Sequence, residues 1–108
     1  MIHGLRELGG DEEPGLLDEL IDLYLSDAPQ RMRDIEGSLC SGDWKLLERA
    51  AHTLKSASAN IGALGLSALC KELESSARSQ DGKVCTDLYQ RSAEYYARVE
   101  SALRGLRD

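Results

Sequence analysis

Apolar residues recur at intervals of three and four positions through most of this chain, which is the spacing of an amphipathic α-helix. The alternation of apolar and polar residues that marks a half-buried strand does not occur in the sequence. The periodicity predicts five helices, with turns at residues 41–43, near Gly62 and at residues 80–82. A further break is predicted at residues 27–29, because Pro29 disfavours helical geometry in the residue before it.

Each predicted helix has one apolar stripe that would face a common core. In chain order the five stripes are Leu17, Leu20, Ile21 and Tyr24; Ala28, Met32, Ile35 and Leu39; Leu47, Ala51, Leu54, Ser58 and Ile61; Leu66, Leu69, Cys70, Leu73 and Ala77; and Leu88, Ser92, Tyr95, Val99, Ala102 and Leu106. Short turns between long amphipathic helices make consecutive helices antiparallel neighbours. We therefore expect an all-α fold, in which the last four helices form an antiparallel up-down-up-down four-helix bundle. The short first helix, beginning near Asp11, would cover an end or a side of this bundle.

The chain has 108 residues, which is the size of a single domain. Gly4, Gly9 and Gly10 give the beginning of the chain the composition of a loose end. We therefore expect a flexible tail or linker remnant at residues 1–10 and a helical bundle domain at residues 11–108.

The formal net charge of -6 argues against general nucleic-acid binding, which needs a basic face to displace phosphate counterions. It argues equally against binding to an anionic membrane surface, and no apolar run approaches the ~20 residues that span a bilayer. Cys40, Cys70 and Cys85 are an odd number of cysteines without paired spacing, which indicates reduced thiols. These properties favour a cytoplasmic protein that makes no direct contact with membrane or nucleic acid.

The third predicted helix carries a histidine on the face opposite its apolar stripe. At about 100° per residue, His52 lies about 160° around the helix from Leu54. The face of His52 is polar or small throughout, and its members are Lys45, Glu48, Arg49, Lys55, Ser56 and Ala59. The imidazole should therefore be exposed, although exposure alone is more often that of a solvated surface histidine.

Three features of this face favour a histidine that carries a phosphoryl group. Lys55 follows His52 by one turn, so its ammonium can reach the space above the ring and offset the charge of a phosphoryl group. Ser56 and Ala59 are short, which leaves the imidazole open to an approaching protein, and the Ser56 hydroxyl can donate a hydrogen bond. The basic residues of the face also form a local positive patch on an acidic protein.

Other chemistries find little support in the sequence. A zinc or iron site needs several ligands, and no second histidine lies near His52 in the sequence. A Cys–His nucleophile needs a thiol close to the ring, whereas Cys70 falls on an apolar stripe. The sequence contains no glycine-rich phosphate loop and no nucleotide motif, so the chain should not bind ATP or act as a kinase alone.

The residues around His52 are similar to those of a known family. The residues that carry the similarity are Asp43-x-x-x-Leu47-x-x-x-Ala51-His52-Thr53-Leu54-Lys55-Ser56-x-Ser58-x-x-Ile61-Gly62-Ala63, followed by Leu69-Cys70-x-x-Leu73-Glu74. This pattern resembles the histidine-containing phosphotransfer (HPt) domains of bacterial multistep phosphorelays. The similarity covers roughly residues 12–106, since residues 20–39 resemble the leading helices of the family.

The resemblance implies a four-helix bundle with an exposed acceptor imidazole at mid-helix. His52 would take a phosphoryl group on Nε2 from a receiver-domain aspartate and pass it to the receiver aspartate of another response regulator, or act in reverse. Lys55 would be the cation beside the phosphate, and Ser56 stands where the family often has glycine. The chain would need no cofactor of its own, because Mg²⁺ would belong to the partner receiver domain.

The resemblance also implies a docking surface for the receiver around His52. The predicted docking residues are Lys45, Glu48, Arg49, Ala59, Gly62, Ala63, Lys71 and Glu74, with Ser67 flanking them. We expect a monomer, either free or fused in cis with receivers as the C-terminal module of a hybrid sensor kinase. Such a module would be a phosphocarrier within a kinase system and not an enzyme.

Two other functions stay open from the residues alone. A helical adaptor that docks a receiver or an enzyme without carrying phosphate would have the same fold and the same surface. The dimerising histidine region of a sensor kinase would also display a helical histidine. That region is followed by an ATP-binding domain, for which this chain has neither the length nor the motifs.

Overall fold

The computed structural model describes residues 15–107, and within this range the chain forms helices and no strand. The helices are α1 (Leu16–Ser41), α2 (Trp44–Asn60), α3 (Leu64–Arg78) and α4 (Gly82–Arg107). The expectation of an all-α protein is therefore confirmed over the described residues. The tail predicted at residues 1–10 and the helix start predicted near Asp11 lie outside this range.

Helix α1 continues through Pro29, so the predicted break before this residue is wrong. The two helices expected here are one helix, and no separate N-terminal helix exists in the described part of the chain. Proline in a helix interior loses one hydrogen bond and costs about 3 kcal/mol. On both sides of Pro29, however, α1 buries the same apolar face, which includes the fully buried Ile21 and Ile35. Each such side chain contributes about 1.5–3 kcal/mol, so the buried face together outweighs the proline.

Local sequence signals fix both ends of α2. Asp43 is the N-cap, and its carboxylate accepts a hydrogen bond from a backbone N–H of the first turn at 3.1 Å. At the other end, Gly62 has a φ of 84°, a left-handed conformation that glycine adopts without strain. The N–H groups of Gly62 and Ala63 donate to the carbonyls of Ala59 and Ser58, respectively, which is the Schellman arrangement. The predicted cap and the predicted break at Gly62 are confirmed.

The four helices close into a bundle. Helix α2 packs against α1 and α3, and α4 packs against α3 and α1. Every helix contributes fully buried side chains to the core, such as Leu54 of α2, Leu73 of α3 and Leu103 of α4. The connections are two or three residues long, too short to cross the bundle, which favours antiparallel neighbours. The up-down-up-down order itself stays a prediction. In residues 15–107, no helix combines the length and the apolar character needed to cross a membrane.

The second half of α4 faces the core in a register that differs from the predicted one. Tyr96 is buried, whereas Tyr95, which was expected to face inward, is only half-buried. Ala102 and Leu106, also expected inside, are exposed. The register follows from a contact between helices, because the ring of Tyr96 packs 6.2 Å from the ring of Tyr24 on α1. The periodicity of one helix does not contain this information.

Candidate functional site

Helix α2 presents His52 to solvent from the middle of its length. Leu47, Ala51 and Leu54 bury the opposite face of the helix completely. The side chain of His52 is 58% exposed. The exposed imidazole predicted from the helical wheel is therefore confirmed, since the buried stripe fixes the direction of the whole helix.

A carboxylate from α3 contacts the imidazole. Oε2 of Glu74 lies 3.0 Å from Nδ1 of His52, and Oε1 of Glu74 lies 2.7 Å from Nζ of Lys55. Oε2 also accepts a hydrogen bond of 2.9 Å from Nη2 of Arg78. The Glu74 side chain is only 7% exposed. Two cations and one imidazole therefore compensate a nearly buried charge.

The contact with Glu74 sets the tautomer of His52. An ionised carboxylate has no proton to donate, so Nδ1 of His52 carries the proton and donates it to Oε2. In the neutral ring, Nε2 then holds the free lone pair. The exposed imidazole is thereby a nucleophile at Nε2, which is the nitrogen whose phosphorylation the family resemblance implies.

The neighbours of Glu74 also determine its charge. Burial raises the pKa of this carboxyl group, but the hydrogen bonds from Lys55 and His52 and their charges together lower it by more. The net result is a pKa below the ordinary value. Glu74 is therefore ionised at neutral pH and leaves the proton on Nδ1 of His52.

Lys55 lies beside His52 and is paired with Glu74, and its side chain is 27% exposed. Its role as the cation beside a phosphoryl group stays a prediction. The hydroxyl of Ser67 donates to the backbone carbonyl of Lys55 at 3.0 Å, which ties α3 to α2 beside the site. While the ring is unmodified, the lysine is thus held next to His52 by a carboxylate.

Sequence reasoning missed Arg78, which joins the site from the last turn of α3. Its Nη2 donates to Glu74, and its Nε donates to Oε2 of Glu48 on α2 at 2.6 Å. One guanidinium therefore bridges two carboxylates on two helices. A signal for this contact exists in the sequence, because Glu74 and Arg78 are four residues apart on one helix.

Several residues predicted to face a partner are exposed. They are Lys45, Arg49, Ser56, Ala59 and Lys71. Glu48 is partly exposed and is paired with Arg78. All of these remain candidates for contact with a receiver.

Three other residues of the predicted docking surface are buried, so they expose little area to a partner, and their assignment to that surface stays a prediction. Ala63 is fully buried and Gly62 is also buried, because both residues form the C-terminal cap of α2. Glu74 is nearly buried because α3 packs against α2 at this position. Sequence periodicity placed these residues near His52 but did not distinguish the surface from the layer beneath it.

A groove between α1 and α2 lies outside the predicted docking surface. Its volume is about 220 Å³, and its wall on α2 includes Ala57 and Asn60, which follow His52 by one to two turns. On α1 it is lined by Leu20 and by Leu23, whose side chain is 67% exposed.

Metal binding and thiol chemistry are the two alternatives that the residues of this surface raise. Within residues 15–107, no three His, Cys, Asp or Glu side chains are grouped as metal ligands. Cys70 and Cys85 are buried, and burial raises the pKa of the Cys70 thiol to about 12.

The fold and the site define a histidine phosphotransfer domain: a helical bundle with an exposed imidazole, one nitrogen of which is held by a carboxylate. The sequence model of the Hpt domain matches residues 19–107. Because this match spans most of the chain, the protein belongs to the Hpt domain family. Members of this family are phosphocarrier modules of two-component phosphorelays, and the resemblance seen in the sequence is confirmed.

Two relatives from distant organisms are similar to the chain over most of its length. The chain is 26% identical to histidine-containing phosphotransfer protein 4 of Arabidopsis thaliana over 101 residues. This alignment covers 92% of this chain and 80% of that protein. The fold matches the crystal structure of histidine-containing phosphotransfer protein B from Pseudomonas aeruginosa with a TM-score of 0.88. That match has 31% sequence identity and covers 98% of this chain and 89% of the other.

Proposed function

We propose that this protein is a phosphorelay intermediate whose His52 accepts a phosphoryl group from a receiver-domain aspartate. His52 then passes the group to the aspartate of another response-regulator receiver, or the transfer runs in reverse. The observation that carries the proposal is the hydrogen bond from Nδ1 of His52 to the ionised Glu74. It leaves a nucleophilic Nε2 on a ring that is 58% exposed.

The transfer needs no general base. The lone pair of Nε2 attacks the phosphorus of the aspartyl phosphate, and the N–P bond forms as the P–O bond to the aspartate breaks. The electron pair of the broken bond leaves with the aspartate carboxylate. The ring becomes a phosphoimidazolium that keeps its Nδ1 proton, and Glu74 stabilises this positive charge through a charge-assisted hydrogen bond. The same proton makes the imidazole a good leaving group when the next aspartate attacks.

Lys55 and Ser56 are the proposed neighbours of the transferred group. A phosphoryl group carries about two negative charges near neutral pH, and an ammonium one turn away neutralises part of that charge. The partner receiver supplies Mg²⁺ at its own aspartate, and this chain binds no cofactor. The bundle contributes positioning, because in-line transfer needs a nucleophile held in a fixed orientation.

The partners of this domain are receiver domains of response regulators. Their docking surface surrounds His52 and includes the exposed Lys45, Arg49, Ala59 and Lys71. The domain acts as a cytoplasmic monomer, either free or fused in cis within a hybrid sensor kinase. It depends on such a kinase system for phosphate, because no nucleotide motif is present in the sequence.

Phosphotransfer from a labelled receiver tests this function. A receiver domain carrying radioactive phosphate on its aspartate should label the wild type at one position, with the acid-labile, base-stable behaviour of an N–P bond. The His52→Gln variant should take up no label while keeping the far-ultraviolet circular dichroism of a helical bundle. Equal labelling of wild type and His52→Gln would contradict the proposal.

The same proteins distinguish a phosphocarrier from a docking adaptor. An adaptor would bind the receiver without taking the label, and its binding would survive the His52→Ala substitution. Titration of a fluorescent receiver against wild type and His52→Ala measures this binding directly. A wild type that binds receivers tightly and never becomes labelled would favour the adaptor.

A further inference from the structure

We propose that Arg78 is a positioning residue for phosphotransfer. Its guanidinium, anchored on Glu48, helps to hold the Glu74 carboxylate against Nδ1 of His52 in the unmodified chain and keeps it there when Lys55 turns from Glu74 to the phosphoryl group. This inference rests on the proposed function and assigns a role to an arginine that the sequence pattern did not single out.

The Glu74 carboxylate has three charged or polar partners, His52, Lys55 and Arg78. Lys55 contacts Oε1, whereas His52 and Arg78 both contact Oε2. A carboxylate that is only 7% exposed cannot exchange these partners for water without rearrangement of the helices around it. Loss of one cation from Glu74 must therefore be compensated by another group that stays in place.

Lys55 is the partner that phosphorylation removes. It follows His52 by one turn of α2, and its side chain is 27% exposed on a flexible four-carbon stem. A phosphoryl group on Nε2 of His52 carries about two negative charges and competes with the single charge of Glu74 for the ammonium. When Lys55 turns outward, Oε1 of Glu74 loses its 2.7 Å contact.

Arg78, unlike Lys55, keeps its contact with Glu74 because a second carboxylate also holds it. Its Nη2 donates to Glu74 at 2.9 Å, while its Nε donates to Glu48 at 2.6 Å. The guanidinium is planar and rigid, so the two contacts fix its orientation together. Glu48 lies on α2, the helix that carries His52, and Arg78 therefore holds the α3 carboxylate in register with the α2 imidazole.

The exposure of Arg78 separates this role from a purely structural one. Its side chain is 59% exposed and its ion pairs are near the surface, so its removal should leave the bundle folded. A close structural match exists on α4, where Arg91 pairs with Asp87 four residues earlier at 3.2 Å and is 65% exposed. Arg91 is therefore the control for loss of a helical surface arginine away from the site.

Two measurements on five variants test the proposal. The variants are Arg78→Gln, Arg78→Lys, Glu48→Gln, the double variant Arg78→Gln/Glu48→Gln and the control Arg91→Gln, all in a His3→Gln background that leaves His52 as the only histidine of the chain. Nitrogen-15 NMR of the imidazole reports which ring nitrogen carries the proton. Rapid-quench phosphotransfer over a range of receiver concentrations separates the maximal rate from the receiver concentration that gives half of it.

The proposal predicts a specific pattern. Arg78→Gln should move part of the His52 population to the tautomer protonated at Nε2. It should also lower the maximal rate on the order of tenfold and leave the half-saturating receiver concentration unchanged. Arg78→Lys keeps the charge but loses the two-pronged contact, so it should recover only part of the rate. Glu48→Gln should act in the same direction as Arg78→Gln, and combining the two should cost less than the sum of their separate effects. Arg91→Gln should match the wild type in both measurements.

Several results would overturn it. A wild-type tautomer and a wild-type maximal rate in Arg78→Gln would show that Glu74 stays in contact with Nδ1 of His52 without Arg78. A loss confined to half-saturation would make Arg78 a docking residue, and an equal loss in Arg91→Gln would make the effect unspecific. The NMR measurement needs no phosphate, so a wild type that no receiver labels would refute the proposed function and still reveal whether Arg78 holds Glu74 against His52.

Discussion

Glu74 is the residue on which the chemistry of the site depends most. One carboxylate fixes the tautomer of His52, holds Lys55 beside the ring and joins both to Arg78. At the surface such contacts would be weakened by water, but at 7% exposure the local dielectric is lower and each contact is stronger. The nucleophilicity of an exposed ring is thus set by a group that solvent barely reaches.

Replacing Glu74 by glutamine should make stability less dependent on pH. The pKa of Glu74 in the folded chain lies below its ordinary value of 4.5. Its contribution to the free energy of unfolding is therefore fully present above that value and is lost as the pH falls through the folded-state pKa. The difference in free energy of unfolding between wild type and Glu74→Gln should be largest near neutral pH and should shrink in acid. Urea unfolding at a series of pH values measures this difference.

Glu72→Gln is the matched control for that experiment, because Glu72 is exposed on the same helix. The control should reproduce the pH profile of the wild type. If the difference between wild type and Glu74→Gln stayed constant from neutral pH into acid, Glu74 would not be the ionised partner of His52.

At the scale of the helices, the sequence was sufficient wherever one element determines the outcome. The stripe of α2 turns His52 outward, and Asp43 and Gly62 mark the ends of that helix as predicted. The prediction failed where two elements decide together. Pro29 is tolerated because α1 packs on the two neighbouring helices, α2 and α4. Glu74 is buried because α3 packs on α2.

Replacing Pro29 by alanine should stabilise the protein. Alanine restores the missing backbone donor within α1 and removes the clash of the proline ring with the preceding turn. We expect the free energy of unfolding to rise by about 1–3 kcal/mol, up to the full cost of proline in a helix interior. Urea unfolding monitored by circular dichroism gives this value.

Ser26→Ala controls for the helix propensity of alanine, since Ser26 is exposed on the same helix. It should change the free energy of unfolding by about 0.5 kcal/mol or less. A gain in Pro29→Ala no larger than the gain in Ser26→Ala would mean that α1 has already absorbed the whole cost of the proline.

At the scale of the whole molecule, charge is distributed unevenly. The formal net charge is -6, yet the exposed face of α2 displays Lys45 and Arg49. The phosphorylation pocket that the family resemblance implies for a receiver is acidic. A basic face on an acidic protein should therefore orient the encounter as well as accelerate it.

Reversing these two charges should slow transfer mainly at low salt. The Lys45→Glu/Arg49→Glu double variant should lower kcat/KM for a phosphorylated receiver on the order of tenfold at low ionic strength. Because the Debye length is ~10 Å at ~0.1 M salt and ~3 Å at ~1 M, the difference from the wild type should narrow as sodium chloride is added. Stopped-flow or quench kinetics at several salt concentrations would measure it.

The Lys83→Glu/Arg91→Glu double variant is the control for the same change of net charge, because both residues are exposed on α4, outside the site formed by α2 and α3. This control should lower kcat/KM for the phosphorylated receiver much less than the change on α2 does. Equal slowing by both variants would indicate that the overall charge matters and its location does not.

The central position of His52 in α2 also determines which partner has to move. The ring stands eight residues from each end of a helix that runs from Trp44 to Asn60, and fraying is confined to the end turns. The backbone that carries the ring is therefore far from the turns that fray. For the proposed transfer, we therefore expect the receiver to make most of the adjustment that brings phosphorus, Nε2 and the leaving oxygen onto one line.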